Sequence, residues 1–412
     1  MISEYGLRLV SAVLIGIYVA RYLGPEKFGL LSYSSAIVTI FITVSQLGMA
    51  NILVRDLAKC PERILAYMST AFSLMMLAAI ASFTVLSVCV FFIESDIQAR
   101  AYIWVIAAGI IFQPFNVIDY YFQSQVKVKH SSVARLLALA ISSSVKVYLV
   151  WTKAGVYVFA IAMALDYVLV ALLLTMSYLN HHQECSFEFD RSLVKPLLKS
   201  AWPMVLSALA ATLYIRIDQI MIKNMIGSHE LGLYMVASKF FEVWVSFVYV
   251  VSMSLMPLLV ENKKNDPQKY EMLLVKVFRL FMFSGIVFYI FMFICGESVI
   301  EITFGLEYKA ALTALIVLSL GAPLIAIRVI TVRYLTVEGF EKKIASRTIA
   351  ALGLSIVLNY ILIPKFGVVG AAVSTVFALF YSAYLANFLD SELSYLRKIH
   401  VKIFSLKSQV YK

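Results

Sequence analysis

Charged residues are scarce in this chain. Only 14% of its 412 residues are charged, 62% are apolar, and the mean hydropathy is +0.88. No polar stretch is long enough to fold as a separate soluble domain, and the two longest, residues 180–199 and 261–276, are predicted linkers. A soluble globular protein has about a quarter of its residues charged, so this composition excludes one.

The groups that carry enzymatic chemistry are also few. The phosphate-loop spacing Gly24-x4-Gly29 is followed by Leu30 rather than by the lysine that binds phosphate, and no H-E-x-x-H or G-x-S-x-G motif occurs. We therefore predict no catalytic residue, no cofactor and no enzymatic activity. The four cysteines show no C-x-x-C spacing, so neither a disulfide framework nor a metal site is predicted. They are Cys60, Cys89, Cys185 and Cys295.

Apolar residues instead form a series of runs about twenty residues long. A hydrocarbon layer of about 30 Å, crossed at 1.5 Å per residue, needs roughly 20 residues, so each run predicts one membrane-spanning helix. The predicted fold class is an all-α polytopic membrane protein with about twelve transmembrane helices. The spans are predicted at residues 5–23, 32–52, 66–93, 101–124, 134–151, 154–179, 200–222, 232–258, 277–296, 310–332, 344–363 and 366–389.

The distribution of basic residues indicates the orientation. With the N-terminus in the cytoplasm, the cytoplasmic loops and the C-terminal tail hold 23 of the 35 basic residues, and the opposite loops hold seven. The positive-inside rule therefore predicts that both termini are cytoplasmic. The same excess predicts contact with anionic membrane lipid and no nucleic-acid partner. The first apolar run is too long for a signal peptide and lacks a basic segment before it, so a retained helix is predicted.

Two matches within the chain predict an internal repeat. Residues 21–30 share the pattern G-x4-G-L with residues 224–233, and residues 154–162 share Gly-Val with residues 366–374, in both cases about half a chain apart. A tight hairpin between spans needs a glycine with positive φ or close backbone approach. We predict two pseudo-symmetric six-helix bundles around a central cavity, an architecture typical of alternating access. The predicted divisions are an N-terminal bundle at 1–180, a cytoplasmic linker at 181–199, a C-terminal bundle at 200–390 and a basic cytoplasmic tail at 391–412.

A small set of charges lies inside the predicted spans. Each costs a few kcal/mol if it faces lipid, so such groups normally face a bundle interior or a wet cavity. They are Asp119, Lys146, Asp166, Arg216, Asp218, Lys239, Glu242 and Arg328, with Glu4 and Arg8 near the start.

The seventh and eighth spans carry four of these charges. Lys239 and Glu242 can share one helix face, whereas Arg216 and Asp218, two residues apart, cannot. We predict a charged belt with cross-helix pairs such as Arg216–Glu242. Lys146 and Asp166 would supply a counterpart in the other half. A structural network of satisfied ion pairs is the alternative interpretation.

Several segments of the sequence resemble a known family. They are ARYLGPEKFGLLSY at 20–33, LGMANILVRDLA at 47–58, YIRIDQIM at 214–221, GLYMVA at 232–237, SLMP at 254–257 and LNYILIPKFGVVGAA at 358–372. In this order they are similar to the polysaccharide-transporter flippases, in the O-antigen (Wzx-type) branch of the multidrug/oligosaccharidyl-lipid/polysaccharide exporter superfamily. The resemblance runs through nearly the whole chain.

The resemblance implies a flippase that moves an undecaprenyl-diphosphate-linked oligosaccharide across the bacterial inner membrane. The partners it implies are the lipid-linked oligosaccharide, a polysaccharide polymerase and a chain-length regulator. Cationic side chains in a cavity would replace water around the diphosphate. We assign this role to Arg216, Lys239, Lys146 and Arg8. The carboxylates that would pair with these cations or carry coupling protons are Asp218, Glu242, Asp166 and Asp119.

Three other functions compete with this interpretation. An ion-coupled multidrug/cation antiporter of the same superfamily would favour an acidic cavity, whereas these spans contain both signs of charge. A membrane glycan polymerase or ligase typically needs a large outward loop, and no outward loop here exceeds about fifteen residues. A non-transporting scaffold would have little use for charges buried in its spans.

Overall fold

The computed structural model describes residues 2–181 and 187–404, and within these ranges every regular element is a helix. The helices are α1 (Ile2–Ser45), α2 (Met49–Lys59), α3 (Ile64–Ile93), α4 (Ile97–Ala107), α5 (Asn116–Ser124), α6 (Val128–Trp151), α7 (Val156–Leu179), α8 (Arg191–Ile226), α9 (Ser228–Asn265), α10 (Pro267–Thr303), α11 (Ala311–Ser319), α12 (Ala322–Val337), α13 (Glu341–Phe380), α14 (Ala386–Leu389) and α15 (Ser394–Phe404). A 3-10 segment, Ala108–Phe115, joins α4 to α5, and a π-helical turn, Tyr381–Leu385, joins α13 to α14.

The helices account for the predicted number of spans. Among the described residues, nine helical stretches are long and apolar enough to cross a membrane, and α11 with α12, bent by 43°, makes a tenth. Two of the nine, Val13–Lys59 and Lys342–Leu389, contain 47 and 48 residues and would be about 70 Å long if straight. Each is broken at a glycine with non-helical backbone, Gly24 or Gly367, so each supplies two spans. The total is about twelve.

The first predicted repeat is matched by backbone conformation. Gly24 has φ 73° and ψ 169°, and Gly227 has φ 102° and ψ 172°. Only glycine adopts this region without steric strain, and in both places it ends one helix and lets the next begin at once. The hairpin glycine at the start of each half therefore has the predicted positive φ.

The second repeat is matched in sequence but not in conformation. Gly367 has a positive φ of 57°, whereas Gly155 has φ −66° and ψ 159°. At the earlier hairpin the positive φ belongs instead to Lys153, with φ 53°. The turn before α7 is thus built differently from the break in α13.

The chain forms two compact units, Met1–Ile220 and Met221–Lys412. This division differs from the predicted one, because the start of α8 is built into the core of the first unit. Leu193, Leu197 and Ala201 lie one helical turn apart and are buried against Met49 and Leu53 of α2. Residues 191–199, expected in a linker, are therefore helical and structural.

A short extended segment positions the start of α8 in the first unit. The backbone N–H groups of Glu188 and Asp190 donate to Ser69 Oγ at 3.1 Å and Thr70 Oγ1 at 3.0 Å, which fastens the segment to α3. The Asp190 carboxylate also pairs with Arg63 and accepts from the Ser192 N–H at 2.8 Å. This last bond is an N-terminal cap for α8, and the Ser192 hydrogen bonds lower the pKa of Asp190.

The second unit is stabilised by close helix packing and by the docking of α15. An added Cβ at Gly285 of α10 would lie 2.6 Å from the backbone N of Pro323, so only glycine permits this approach. At the end of the chain, α15 buries Leu396 and Ile399 completely. The predicted tail at 391–412 therefore contains a packed amphipathic helix over its described part.

Candidate functional site

Lys146 and Asp166, which were expected to supply a counterpart to the charged belt, form an ion pair with each other in the first unit. Lys146 Nζ on α6 lies 2.6 Å from Asp166 Oδ2 on α7. Ser142, one turn before Lys146, accepts from Nζ at 3.0 Å and donates to Asp166 Oδ1. The side chains of Lys146 and Asp166 are 19% and 37% exposed, so the pair lies at an accessible surface of its helices.

Asp119 belongs to a separate and more buried network. Arg135 Nη2 on α6 donates at 2.7 Å both to Asp119 Oδ2 and to Asn116 Oδ1. Asn116 Nδ2 donates to Gln113 Oε1 at 3.1 Å, and Gln46 Nε2 donates to the same oxygen at 3.0 Å. This polar chain links the turn after α1, the 3-10 segment, α5 and α6. Its geometry is that of a satisfied structural network, so the Asp119 carboxylate balances Arg135.

Arg216 differs from Lys146 and Arg135, the paired cations described above. It is half-buried on α8, and in residues 2–181 and 187–404 it forms no ion pair. It lies close enough to Tyr167 of α7 for an electrostatic interaction. Tyr167 in turn packs closely against the 3-10 segment, where a Cβ at Gly109 would lie 2.2 Å from the ring. Asp218, two residues further on, is only 6% exposed.

Lys239 and Glu242 share one face of α9, as their spacing predicts. Lys239 Nζ donates to Glu242 Oε2 at 3.0 Å, and both side chains are about one third exposed. Both residues belong to the second unit, whereas Arg216 and Asp218 belong to the first. The charged belt and the Arg216–Glu242 pair therefore stay predictions. The side chains of Glu4 and Arg8 lie outside the described part of the chain.

The remaining span charge, Arg328, lines a small open cleft in the second unit. Arg347 lies on the other wall, 8% exposed, and donates to Asn387 Oδ1 at 2.5 Å and to the Ala386 carbonyl at 3.1 Å. The Thr331 hydroxyl, also on the lining, has no hydrogen-bond partner in the described structure. Arg347 joins Asp390 across 3.7 Å, so its charge supports the packing of α13 against the end of the chain.

Sequence reasoning missed the uncharged members of the Asp119 network. Gln46, Gln113 and Asn116 are amides inside apolar runs, and only charged groups in the spans lead to a site prediction. Arg135 stands near the start of a span, so the sequence places it with the basic residues of the cytoplasmic loops. An amide-rich stretch beside Pro114 was the available signal, because buried amides need partners.

Comparison with solved structures gives the fold. The chain is similar to an inward-facing multidrug resistance MATE family transporter of the MOP superfamily, with a TM-score of 0.76 and 14% identity over 95% of this chain and 96% of that one. It is similar to the lipid II flippase MurJ in an inward closed conformation, with a TM-score of 0.77 and 15% identity over 97% and 88%. The all-α polytopic fold is shared with these transporters.

Comparison with curated sequences gives relatives of higher identity that match about half of the chain. A probable low-salt glycan biosynthesis flippase of Haloferax volcanii is 25% identical over 221 residues, covering 50% of this chain and 47% of the relative. The capsular polysaccharide biosynthesis protein CapF of Staphylococcus aureus is 22% identical over 200 residues, covering 48% and 50%. The chain thus spans about half the length of the curated relatives it matches. A family model described as polysaccharide biosynthesis protein matches residues 18–313, which is most of the sequence, and the chain belongs to that family.

Proposed function

We propose that this protein is a flippase for a lipid-linked oligosaccharide. The substrate is an undecaprenyl-diphosphate-linked repeat unit of an O-antigen or related surface polysaccharide, moved across the bacterial inner membrane by alternating access, with both termini cytoplasmic. Membership of the polysaccharide biosynthesis family and a flippase among the relatives support this proposal. A polysaccharide polymerase and a chain-length regulator are the proposed downstream partners.

The chemistry of such a substrate sets what the protein must provide. The polyprenyl tail can stay in the lipid throughout, because it is apolar. The diphosphate and the sugars cannot, since a charge in hydrocarbon costs several kcal/mol or more. A transport path therefore needs cations that replace water around the phosphate oxygens.

The main support for the proposal is the environment of Arg216. In the described structure its guanidinium lies in a membrane-length helix without a carboxylate to neutralise it. Such a charge is expensive unless a ligand or water meets it. A guanidinium is also the side chain best suited to bind two phosphate oxygens at once, because its N–H donors are planar and forked.

The other cations act as secondary contacts in this proposal. When no substrate is bound, Lys239 pairs with Glu242 and Lys146 pairs with Asp166. When substrate binds, each lysine leaves its carboxylate and contacts the diphosphate. The freed carboxylates can then take up protons, which would couple transport to an ion gradient. Arg8 is also proposed as a contact of the diphosphate. Asp218 and Asp119 are assigned to charge pairing, with Asp119 committed to Arg135.

The test compares two arginines on one helix. Arg216→Ala is expected to reduce surface glycan at least tenfold in a flippase-deficient strain supplied with this protein, whereas Arg216→Lys retains part of the activity. Arg191→Ala is the matched control, since Arg191 is exposed at the start of α8. Membrane protein levels are equalised by immunoblot. Wild-type glycan from Arg216→Ala at equal protein level would remove Arg216 from the site and the proposal with it.

An ion-coupled multidrug antiporter is the second candidate, because the fold is shared with a multidrug transporter. An antiporter for cationic drugs gains nothing from an unneutralised arginine in its path, since like charges repel. Expression in a drug-sensitive strain distinguishes the two. Raised resistance to cationic dyes together with unchanged surface glycan would favour the antiporter.

A further inference from the structure

One face of α10 changes abruptly from basic to apolar. Lys276 and Arg279 are exposed, and from Leu280 to Gly296 the helix has no charged residue. That apolar stretch is about 25 Å long, close to the thickness of a hydrocarbon layer. Lys276 and Arg279 therefore lie at the boundary between lipid and water, the depth at which lipid phosphates occur.

The same face continues into the lipid as an exposed apolar stripe. Met272, Lys276, Arg279 and Phe283 follow one another at spacings of four, three and four residues, so they form a single line along the helix. Met272 is 63% exposed and Phe283 is 66% exposed. A molecule lying along this line would meet two cations at the boundary and aromatic and aliphatic surface below them.

The C-terminal helix adds a third cation at this place. Arg279 Nη2 donates to the backbone carbonyl of Lys402 at 2.7 Å, which caps the last turn of α15. The Lys402 ammonium reaches back along α10 to pair with Glu271, whose other carboxylate oxygen accepts from Tyr395 at 3.4 Å. The basic site of Lys276, Arg279 and Lys402 thus carries a net positive charge and borders the joint between α10 and α15.

We propose that the basic site binds one anionic phospholipid of the surrounding leaflet. Its phosphate lies between Lys276 and Arg279, and its acyl chains follow Leu280 and Phe283. Within the described residues Lys276 forms no ion pair, so a phosphate is the partner whose charge and depth match it. The lipid fastens α15 to α10, because the phosphate and the α15 carbonyl share Arg279. This inference is independent of the transported substrate.

The experiment uses the full chain in nanodiscs that contain phosphatidylglycerol or only phosphatidylcholine. Native mass spectrometry counts the lipids retained, and hydrogen exchange follows the backbone amides of α15. We expect wild type to retain one phosphatidylglycerol and to protect α15 more in its presence. Lys276→Gln should weaken retention about fivefold, and Lys276→Gln with Arg279→Gln about thirtyfold, at about 1 kcal/mol per charge.

Two controls make the result specific. Lys59→Gln removes an exposed basic residue from the last turn of α2, where the exposed residues one and two turns earlier, Arg55 and Asn51, are polar, and it should retain the lipid as wild type does. In the described structure Lys276 forms no hydrogen bond or ion pair with α15, so the effect of Lys276→Gln does not depend on unfolding of that helix. Equal retention by Lys276→Gln and wild type, or equal loss from Lys59→Gln, would overturn the proposal. Displacement of the lipid by excess inorganic phosphate would assign the site to a free anion instead.

Discussion

Lys146 and Asp166 meet at a junction that uses both oxygens of the carboxylate. One oxygen lies 2.6 Å from the ammonium, and the other accepts from Ser142, which also accepts from the ammonium. Three polar groups thus satisfy one another between α6 and α7. Neither helix could place its charge in lipid alone without a cost of several kcal/mol.

Removing one member of this junction is therefore expected to cost more than removing both charges. Lys146→Met leaves an unpaired carboxylate and should reduce the free energy of unfolding by about 2 kcal/mol, a value reduced from that of a buried pair because Asp166 is partly exposed. Lys146→Met with Asp166→Asn should recover part of that loss. Thermal unfolding in detergent measures both. A double variant less stable than either single variant would contradict the junction.

The network around Asp119 predicts a larger effect at Arg135. Arg135→Gln leaves Asp119 with only the Gln123 amide, and the side chains of the pair are 20% and 11% exposed. We expect a loss of about 3 kcal/mol. Arg55→Gln is the control, because Arg55 is 53% exposed and pairs only with its neighbour in sequence, so its change should stay within about 0.5 kcal/mol. Similar melting temperatures for the two variants would argue against a stabilising network.

Substitution of a hairpin glycine is expected to strain the backbone without a clash against neighbouring residues. An added Cβ at Gly227 meets nothing within 4 Å, yet φ there is 102°. Gly227→Ala should therefore lower stability by about 1–2 kcal/mol through backbone strain alone. Gly155→Ala is the control, since it also meets nothing and has φ −66°. Thermal unfolding compares them, and an equal response would show that the positive φ carries no cost.

The contacts of the Asp390 carboxylate before α15 are expected to weaken in acid. Burial opposes its ionisation, but hydrogen bonds from Lys343 and the Glu392 N–H outweigh burial and lower the pKa of Asp390. Because the pKa of Asp390 is lower in the folded protein, its ionised form stabilises the fold at pH values above the pKa of an unfolded aspartate, about 3.9. This stabilisation is lost as the pH falls through the pKa of Asp390 in the folded protein. The protection factors of the α15 amides, which correct exchange for its intrinsic pH dependence, should therefore be steady from pH 7 to 5 and fall below about pH 4. Asp390→Asn should raise exchange at neutral pH and remove the acid step.

The sequence predicted those features of the fold that depend on local chemistry. Long apolar runs indicate spans, and the positive φ of Gly24 and Gly227 follows from a hairpin that leaves no other residue a low-energy conformation. Packing between residues far apart in the chain could not be predicted from the sequence. The joining of α8 to the first unit depends on Leu193 and Leu197 finding a hydrophobic cluster far away in sequence, which no local pattern specifies.

The candidate site shows the same division. Lys239–Glu242 follows from helix spacing, and Lys146–Asp166 from the cost of isolated charges in neighbouring spans. Arg135 could not be assigned in this way, because a basic residue near a helix end can snorkel to water or turn inward, and only its partners decide which. Asp119 and Asn116 are those partners, and they lie in α5, directly after a 3-10 segment that apolar periodicity does not reveal.

The burial of Leu193, Leu197 and Ala201 among residues of α2 and α3 has a consequence for biosynthesis. A nascent chain released into the membrane up to residue 180 lacks three of the side chains that complete its first core. Tertiary packing of the early spans must then wait until translation has passed Ala201 and the start of α8 has left the ribosome. Ribosome-stalled intermediates on either side of that length should differ sharply in protease resistance.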